Sequence, residues 1–225
     1  MTEPLICGLD EAGRGPLAGP VCAAAVVLPP GNRLAGLLAD SKKLTPRRRE
    51  EARHVIIAEA LAWGVGWATH DEIDRLDILR ASLLAMRRAF DIIVPSGEAA
   101  PSGAEGWPEN LETETPFGRA FASASLAAGL EAIADGNRAP ELPVPCAAVV
   151  RADATVPAVM AASILAKTAR DALMGHYARL YPEYGYDRHK GYPTAEHRRI
   201  VAELGFSPIQ RRSFRGETRP KTGII

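Results

Sequence analysis

Cysteine is scarce in this sequence, and the cysteines that occur form no recognisable framework. Cys7, Cys22 and Cys146 are an odd number without a Cys-x-x-Cys spacing. This usage argues against disulfides and a cysteine-based zinc site, and it predicts buried free thiols in a reduced, cytoplasmic protein. Long hydrophobic runs are also lacking, and the first residues do not join a basic stretch to an apolar one. Neither a membrane span nor a secretory signal is therefore predicted.

Net charge is absent as well, because 27 Lys and Arg residues balance 27 Asp and Glu residues. A neutral total argues mildly against nucleic-acid binding, since proteins of that class are often basic. The distribution of charge argues the other way. Basic residues gather in segments 42–53 and 188–221, whereas no Lys or Arg lies between Arg88 and Arg119. A local basic surface can therefore coexist with the neutral total.

The length of 225 residues and the hydrophobic fraction of 47% predict one domain, or one domain with an appendage. Apolar runs predict strands at 5–9, 21–28, 63–69 and 143–150, the first two as an antiparallel pair. Residues 126–134 fit either a further strand or a short helix that leads into one. Periodic or Ala-rich segments predict helices at 47–62, 70–90, 158–174 and 194–204, with caps at Thr45 and Thr194. This mixture favours an α/β or an α+β domain with a mixed sheet, and it does not separate the two.

The most distinctive stretch runs from Gly8 to Val21, where two adjacent carboxylates are followed by several glycines and prolines. Asp10 and Glu11 stand at the end of the first predicted strand. Adjacent side chains of a strand point to opposite faces, so these two converge on one ion only if the strand ends or bends there. The Gly-Arg-Gly segment at 13–15 permits such a bend and leaves bare main chain beside the carboxylates. An ordinary solvated turn has the same composition, and the pair alone does not decide.

Asp135 and Asp153 each follow a later predicted strand, just before a turn. If these strands neighbour the first one, four carboxylates meet at one edge of the sheet, where ligand sites commonly lie. Their repulsion would raise their pKa values, and cations would relieve it. Oxygen donors without suitably spaced Cys or His favour Mg²⁺ or Mn²⁺, and two such ions can support phosphodiester hydrolysis. Ordinary turns also use these aspartates, so the spacing alone leaves the question open.

Five sequence blocks and a short ending occur in a fixed order along the chain. They are Asp10 to Val21, Asp40 to Leu44, Asp135 to Arg138, Val156 to Asp171, His189 to Thr194, and the ending Arg212 to Phe214. In this order they resemble the ribonuclease HII family, the bacterial type 2 ribonucleases H. The resemblance covers nearly the whole chain apart from about 95–125.

The resemblance implies a ribonuclease H-like catalytic core at 1–175, of the α/β class, in which helices flank a mixed sheet. A C-terminal helical part at 176–225 would bind substrate. The implied activity is cleavage of the RNA strand of RNA–DNA hybrids and nicking of duplex DNA 5′ to a single embedded ribonucleotide. The metal ions, Mg²⁺ or Mn²⁺, would be held by four catalytic carboxylates: Asp10, Glu11, Asp135 and Asp153. We expect a monomer.

The resemblance also assigns contacts with the substrate. The backbone of Gly13, Arg14 and Gly15 would contact the ribose 2′-hydroxyl, the group that distinguishes RNA from DNA. Tyr192 would sense the RNA–DNA junction, where an aromatic ring can pack against a sugar. Phosphate contacts are expected for Lys42, Lys43 and Lys167, although Lys43 also fits a solvated loop.

Other polar residues leave their roles open. His189 and His197 are candidate proton shuttles or phosphate contacts, and they also fit positions with neither role. Ser163 fits helix packing best. Three arginines near the end either contact the duplex backbone or are solvated: Arg211, Arg212 and Arg215.

Two departures from the family pattern matter. Arg151 and Ala152 precede Asp153 where the family usually has Lys-Gly, which preserves the carboxylate and a basic neighbour. The second departure is an apparent insertion at 95–125, rich in Pro, Gly, Ser, Glu and Thr over 95–116. Such a segment cannot bury enough apolar surface to offset its ordering entropy, so it is interpreted as a mobile surface loop. Because its acidity repels phosphate, we expect it to face away from the substrate.

Two other functions compete with this interpretation. A type 3 ribonuclease H would share the scaffold, but its long N-terminal substrate-binding extension does not precede Asp10 here. A hybrid-binding module without catalysis is disfavoured because all four carboxylates are present. The sequence therefore favours an active type 2 enzyme.

Overall fold

A mixed β-sheet lies at the centre of the protein. The computed structural model describes residues 4–31, 34, 44–94, 118–121 and 129–214. The strands of this part are β1 (Ile6–Ala12), β2 (Val21–Val27), β3 (Ala62–Ala68), β4 (Gly118–Arg119), β5 (Glu131–Asp135) and β6 (Cys146–Val149). Their order across the sheet is β4-β3-β2-β1-β5-β6. Strands β1 to β4 pair antiparallel, whereas β5 is parallel to β1 and β6 is parallel to β5. This arrangement confirms the α/β class with a mixed sheet.

Helices flank the sheet. Those of the described part are α1 (Pro46–Glu59), α2 (His70–Leu76), α3 (Ile78–Ile93), α4 (Pro157–Leu180), α5 (Tyr186–His189) and α6 (Ala195–Leu204). Short 3₁₀ turns lie at Ala152–Ala154 and Pro182–Tyr184. Among the described helices, none is long and apolar enough to cross a membrane. The predicted boundary between residues 175 and 176 lies within α4, so the division into two parts stays a prediction.

The central strand β2 is buried on both faces. Cys22, Ala24 and Val26 pack in a cluster that includes residues of α1 and α4. The residues between them pack in a second cluster that includes residues of α3. Because side chains alternate along a strand, this pattern means that helices cover both faces of the sheet.

Helix α4 lies directly against the backbone of β1. A Cβ placed on Gly8 would collide with backbone atoms of Ala158 and Val159. Only glycine at this position allows such a close approach of helix and strand. The approach brings the side of α4 that carries Ser163 and Arg170 toward the end of β1 and the segment that follows it.

The helix predicted at 70–90 is confirmed as helical, but its continuity is wrong, because two helices, α2 and α3, meet at Asp77. This residue has a φ of 78°, which is uncommon for a residue with a side chain. Its carboxylate accepts a hydrogen bond from the Arg80 N–H at 2.9 Å and so caps α3. Periodicity alone does not reveal this break, because apolar residues continue on either side of it. The predicted caps are confirmed, since Thr45 and Thr194 both accept hydrogen bonds from their helices.

Most of the predicted loop at 95–125 lies outside the described residues. Of this segment, residues 118–121 are described, and the two residues of β4 pair with Trp63 and Gly64 at the edge of the sheet. The loop prediction is therefore wrong for β4, where backbone pairing with β3 supplies the order that the composition does not predict.

Candidate active site

Three aspartates lie near the carboxyl ends of β1, β5 and β6. The pairing of Leu9 with Ala134 places Asp135, the last residue of β5, next to Asp10. Asp153 lies beyond β6 in a 3₁₀ turn, and its N–H donates to Asp135 Oδ1 at 3.3 Å. The predicted meeting of strand ends therefore brings these aspartates to one edge of the sheet.

Strand β1 does not end at residue 9 but continues to Ala12 through both carboxylates. Asp10 pairs with Ala24 and Glu11 pairs with Ala23, and those two alanines pack on opposite sides of the sheet. The Asp10 and Glu11 side chains therefore leave opposite faces of the strand. Within the described residues, no three Asp, Glu, His or Cys side chains are arranged so that they could hold a metal ion. An ion at this edge would require the carboxylates to rotate toward it.

The surroundings of Asp10 disfavour its negative charge. The residue is only 6% exposed. Burial raises the pKa of Asp10 to about 8, and the charges of Glu11 and Asp135 add to the rise. Hydrogen bonds from the Ser163 hydroxyl and from the Glu11 N–H, which lies 2.7 Å from Asp10 Oδ1, oppose it. Ser163 therefore contacts a site carboxylate, beyond the packing role predicted for it. A cation would relieve the repulsion, and an all-oxygen donor set suits Mg²⁺ or Mn²⁺.

The negative charge of Glu11 is partly balanced by the guanidinium of Arg14, the middle residue of the Gly-Arg-Gly segment. Arg14 Nη1 lies 3.2 Å from Glu11 Oε1. Burial raises the pKa of Glu11, and the Arg14 guanidinium opposes that rise. A metal ion that binds Glu11 would therefore compete with this guanidinium.

A cleft of about 390 Å³ lies beside the end of β1. It is lined by Glu11, Ala12, Gly13, Arg14, Gly15, Arg49, Ser163, Ile164, Lys167 and Tyr192. The described residues to which the family resemblance assigns substrate contacts, Gly13, Arg14, Gly15, Lys167 and Tyr192, therefore all line this cleft. The other two, Lys42 and Lys43, lie outside the described residues.

Two basic side chains share one wall of the cleft. Lys167 Nζ lies 2.6 Å from Asp171 Oδ1, and Arg49 Nη1 lies 3.8 Å from Asp171 Oδ2. Asp171 thus holds both cations on the same wall. The sequence does not predict Arg49 as a site residue. Its position in the basic segment 42–53 is the one feature of the sequence that points to it.

The glycine loop, residues 13–20, follows β1 and forms the rim of the cleft. Gly13 has a φ of 99°, and a Cβ there would also collide with the Arg170 guanidinium, so glycine is required on two counts. Arg14 and Gly15 are the exposed residues of the loop. A Cβ on Gly15 would lie 3.7 Å from the ring of Tyr192, which places this half-exposed tyrosine across from the loop.

His189 and His197 lie beneath the Tyr192 segment. Both are buried, and their rings stack with centroids 4.4 Å apart. The Tyr192 N–H donates to the His189 carbonyl at 2.8 Å, and His197 Nδ1 lies 3.0 Å from the Tyr192 carbonyl. Burial lowers the pKa of both histidines. These contacts contradict a phosphate contact and show that the pair holds the Tyr192 segment.

Comparison with known proteins identifies the family. A family model described as ribonuclease HII matches residues 7–93 and 131–216. The chain belongs to the ribonuclease HII family. Ribonuclease HII of Laribacter hongkongensis is 49% identical over 211 residues, and that of Dechloromonas aromatica is 46% identical over 210 residues. Each match covers 93% of this chain and 90% of the relative. The chain is therefore an enzyme with ribonuclease H activity.

Solved structures share the fold of this ribonuclease HII. Ribonuclease H2 from Pyrococcus horikoshii OT3 has a TM-score of 0.68 at 24% identity, with 94% of both chains covered. RNase HII from Archaeoglobus fulgidus, solved in a complex with PCNA, has a TM-score of 0.63 at 22% identity, with 92% of both chains covered. Bst-RNase HIII, solved in complex with Mn²⁺, has a TM-score of 0.65 at 17% identity over 94% of this chain and 67% of that chain. These likenesses confirm the predicted ribonuclease H-like core.

The C-terminal arginines of this ribonuclease HII differ in their surroundings. Arg211 is 1% exposed and donates hydrogen bonds to carbonyl groups of the glycine loop. The prediction that Arg211 contacts the duplex backbone is therefore wrong. Arg212 is exposed, and its N–H donates to Asp74 Oδ2 at 2.8 Å. Arg215 lies outside the described residues.

Proposed function

We propose that this ribonuclease HII cleaves the RNA strand of RNA–DNA hybrids and nicks duplex DNA 5′ to a single embedded ribonucleotide. The observation that carries the proposal is the buried Asp10 carboxyl, beside Asp135 and beside Glu11 of the cleft. Arg14 and Lys167 line the same cleft. Repelling carboxylates next to basic side chains suit cation-assisted attack on a phosphodiester of a bound nucleic acid.

Mg²⁺ or Mn²⁺ is the proposed cofactor, bound as two ions by Asp10, Glu11, Asp135 and Asp153. Burial raises the pKa of Asp10 and of Glu11, which supports the proposal because a nearby cation would favour the charged carboxylates. Bound ions would supply an activated water and stabilise the leaving oxygen. The chain itself orients Asp10 through the Ser163 hydroxyl and orients Asp135 through the Asp153 N–H.

The proposed substrate contacts follow the walls of the cleft. The ribose 2′-hydroxyl would meet the N–H groups of Arg14 and Gly15, the exposed part of the glycine loop. Tyr192 lies next to Gly15 and would pack against the neighbouring sugar. Phosphate contacts are proposed for Lys42, Lys43, Lys167 and Arg49.

We further propose that the enzyme works in the cytoplasm as a monomer. Cys7, Cys22 and Cys146 are free thiols, and the first two are buried, which suits a reducing compartment. The division into a catalytic part (residues 1–175) and a C-terminal substrate-binding part (residues 176–225) belongs to the same proposal.

Nicking of a DNA duplex that carries one ribonucleotide tests the proposed function. We expect cleavage 5′ to the ribonucleotide in Mg²⁺ or Mn²⁺ and none in EDTA, because the repelling carboxylates need cations to act. End-labelled strands separated on a denaturing gel report both the position and the rate of cleavage. If only long hybrids are cleaved, the proposed hybrid cleavage stands and the proposed nicking at a single ribonucleotide is refuted. Tight binding without cleavage in either metal would refute the catalytic proposal.

Replacing Tyr192 by Ala is expected to slow nicking at a single ribonucleotide by about tenfold, equivalent to about 1.4 kcal/mol, while long hybrids are cleaved at nearly the normal rate. The reason is that the ring would contact one sugar at the junction, whereas a long hybrid offers many equivalent sites. The comparison of kcat/KM on the two substrates measures the effect. Phe206→Ala is the matched control, because Phe206 is similarly exposed and lies outside the cleft lining. Equal losses on both substrates would remove Tyr192 from junction recognition.

A further inference from the structure

Two buried arginines bind most of the carbonyl groups of the glycine loop. Arg211 donates to the carbonyls of Gly13, Arg14, Pro16, Gly19 and Pro20, at distances of 2.6 to 3.1 Å. Arg170 donates to the carbonyls of Ala18, Pro20 and Lys190, at 3.1 to 3.2 Å. Both side chains are 1% exposed. The loop is therefore bound from below by two guanidinium groups that the substrate cannot reach.

Backbone carbonyls, and no carboxylate, are the partners of these guanidinium groups. A guanidinium has five N–H donors in a fixed plane, and Arg211 makes five hydrogen bonds to the loop. Among the described residues neither Arg170 nor Arg211 forms an ion pair. Burial lowers the pKa of Arg211 to about 9, and the nearby Arg170 charge adds to this effect. Burying two cations without a carboxylate is costly, and here backbone carbonyls, six of them in the glycine loop, accept the hydrogen bonds of both guanidinium groups.

The direction of these carbonyls fixes the direction of the exposed N–H groups. In a trans peptide the C=O of one residue and the N–H of the next point in opposite directions. Because the Gly13 carbonyl points to Arg211, the Arg14 N–H points away from it, and the Arg14 carbonyl directs the Gly15 N–H in the same way. Within the described residues, neither N–H has a hydrogen-bond acceptor in the protein. Both donors therefore point away from the buried arginine, belong to residues that line the cleft, and are available to a ligand.

We propose that Arg211, supported by Arg170, is a positioning residue that aims the N–H groups of Arg14 and Gly15 at the ribose 2′-hydroxyl. It thereby sets the preference of the enzyme for a ribonucleotide over a deoxyribonucleotide. The inference rests on the proposed function, in which the glycine loop contacts that hydroxyl. Neither arginine contacts the substrate, so the effect is transmitted through the loop backbone.

The segment that carries Arg211 is itself anchored to the loop and to α2. The Gly19 N–H donates to the Ile209 carbonyl at 2.8 Å, and the Arg211 N–H donates to the Leu17 carbonyl at 2.9 Å. Asp74 of α2 accepts hydrogen bonds from the N–H groups that follow Arg211. The guanidinium thus has a fixed base from which to orient the loop.

Arg211→Lys tests the proposal, because it keeps the positive charge and offers three donors in place of five. Binding is measured by fluorescence anisotropy in EDTA, where cleavage is not expected, with two duplexes that differ only in one ribonucleotide. We expect the preference for the ribonucleotide duplex to fall about tenfold, equivalent to about 1.4 kcal/mol. Affinity for the all-DNA duplex stays within about twofold, because the phosphate contacts do not involve Arg211.

The control and the alternative outcomes separate this proposal from the proposed function. Arg199→Lys, at an exposed arginine of α6 paired with Glu203, should leave both affinities unchanged. A wild-type enzyme without any preference would refute the proposed reading of the 2′-hydroxyl. A wild-type preference that a folded Arg211→Lys variant retains in full would refute the positioning role alone. If circular dichroism shows that this variant is unfolded, Arg170→Lys takes its place, with the same loss expected and the same retained preference overturning the proposal.

Discussion

Replacing Asp10 by Asn is expected to reduce cleavage by at least about a hundredfold while the fold is retained. Loss of an outer-shell group at a metal site typically lowers activity by about 10- to 100-fold, and removal of a direct ligand should do no less. Asn keeps the size of the side chain and can still accept the Ser163 hydrogen bond that Asp10 receives. Single-turnover cleavage of the one-ribonucleotide duplex in Mg²⁺ and in Mn²⁺ measures the loss.

The same Asp10→Asn variant should be more stable than the wild type in metal-free buffer at pH 8 to 9. Burial raises the pKa of Asp10 from 3.8 to about 8, so the folded protein binds a proton that the unfolded chain releases between these values. The contribution of Asp10 to wild-type stability therefore falls as the pH rises from about 4 to about 8. Asn carries no charge, so the advantage of the variant should reach the order of a few kcal/mol above pH 8 and vanish near pH 4.

Urea unfolding across this pH range, in EDTA and then with Mn²⁺, tests both parts of the prediction. Added metal should stabilise the wild type and leave the variant nearly unchanged, because a ligand that binds only the folded state stabilises it. Asp187→Asn, at an exposed carboxylate of α5, is the control and should change neither activity nor stability appreciably. Normal cleavage by the Asp10→Asn variant would exclude Asp10 from the metal site, and equal stability at pH 9 would contradict the buried-charge argument.

Replacing Gly8 by Ala should destabilise the enzyme by about 3 kcal/mol or more. The new Cβ would collide with backbone atoms of Ala158 and Val159, and backbone cannot yield as a flexible side chain does. Any shift of α4 away from β1 would also move Ser163 and Lys167, so cleavage should decline along with stability.

Gly175→Ala is the matched control for this substitution. Gly175 lies in the same helix α4, and a Cβ there has nothing within 4 Å. Alanine should therefore stabilise the protein by about 0.5 to 1 kcal/mol through helix propensity. The two variants are compared by the midpoint of urea unfolding. Equal stability of the Gly8→Ala variant and the wild type would show that β1 and α4 can separate without loss.

The sequence predicts those parts of the fold that depend on local pattern. The apolar runs predict β1, β2, β3 and β6 to within a few residues, and Thr45 and Thr194 mark the first turns of α1 and α6. The ordered motif blocks also predict the family. The break at Asp77 is not predictable in this way, because a positive φ at aspartate leaves no mark on hydrophobic periodicity.

The surroundings of the site are the less predictable part. Arg211 belongs to a basic segment and resembles a phosphate contact, yet its partners are backbone carbonyls about 190 residues earlier in the chain. Every residue carries the same backbone carbonyl, so no sequence motif can show which carbonyls will bind an arginine. Arg49 is equally hidden among basic neighbours, since only the packing of α1 near α4 brings it to Asp171.

The glycine loop is synthesised early, whereas the arginine that binds its carbonyls is synthesised late. The hydrogen bond between Arg211 and the Gly19 carbonyl spans 192 residues of sequence. On the ribosome, a nascent chain that still lacks residue 211 has a glycine loop without these hydrogen-bond donors. Contacts of such long range also form slowly in refolding, because the closure of a long chain segment must precede them. In both settings we therefore expect the rim of the cleft to acquire its native shape late.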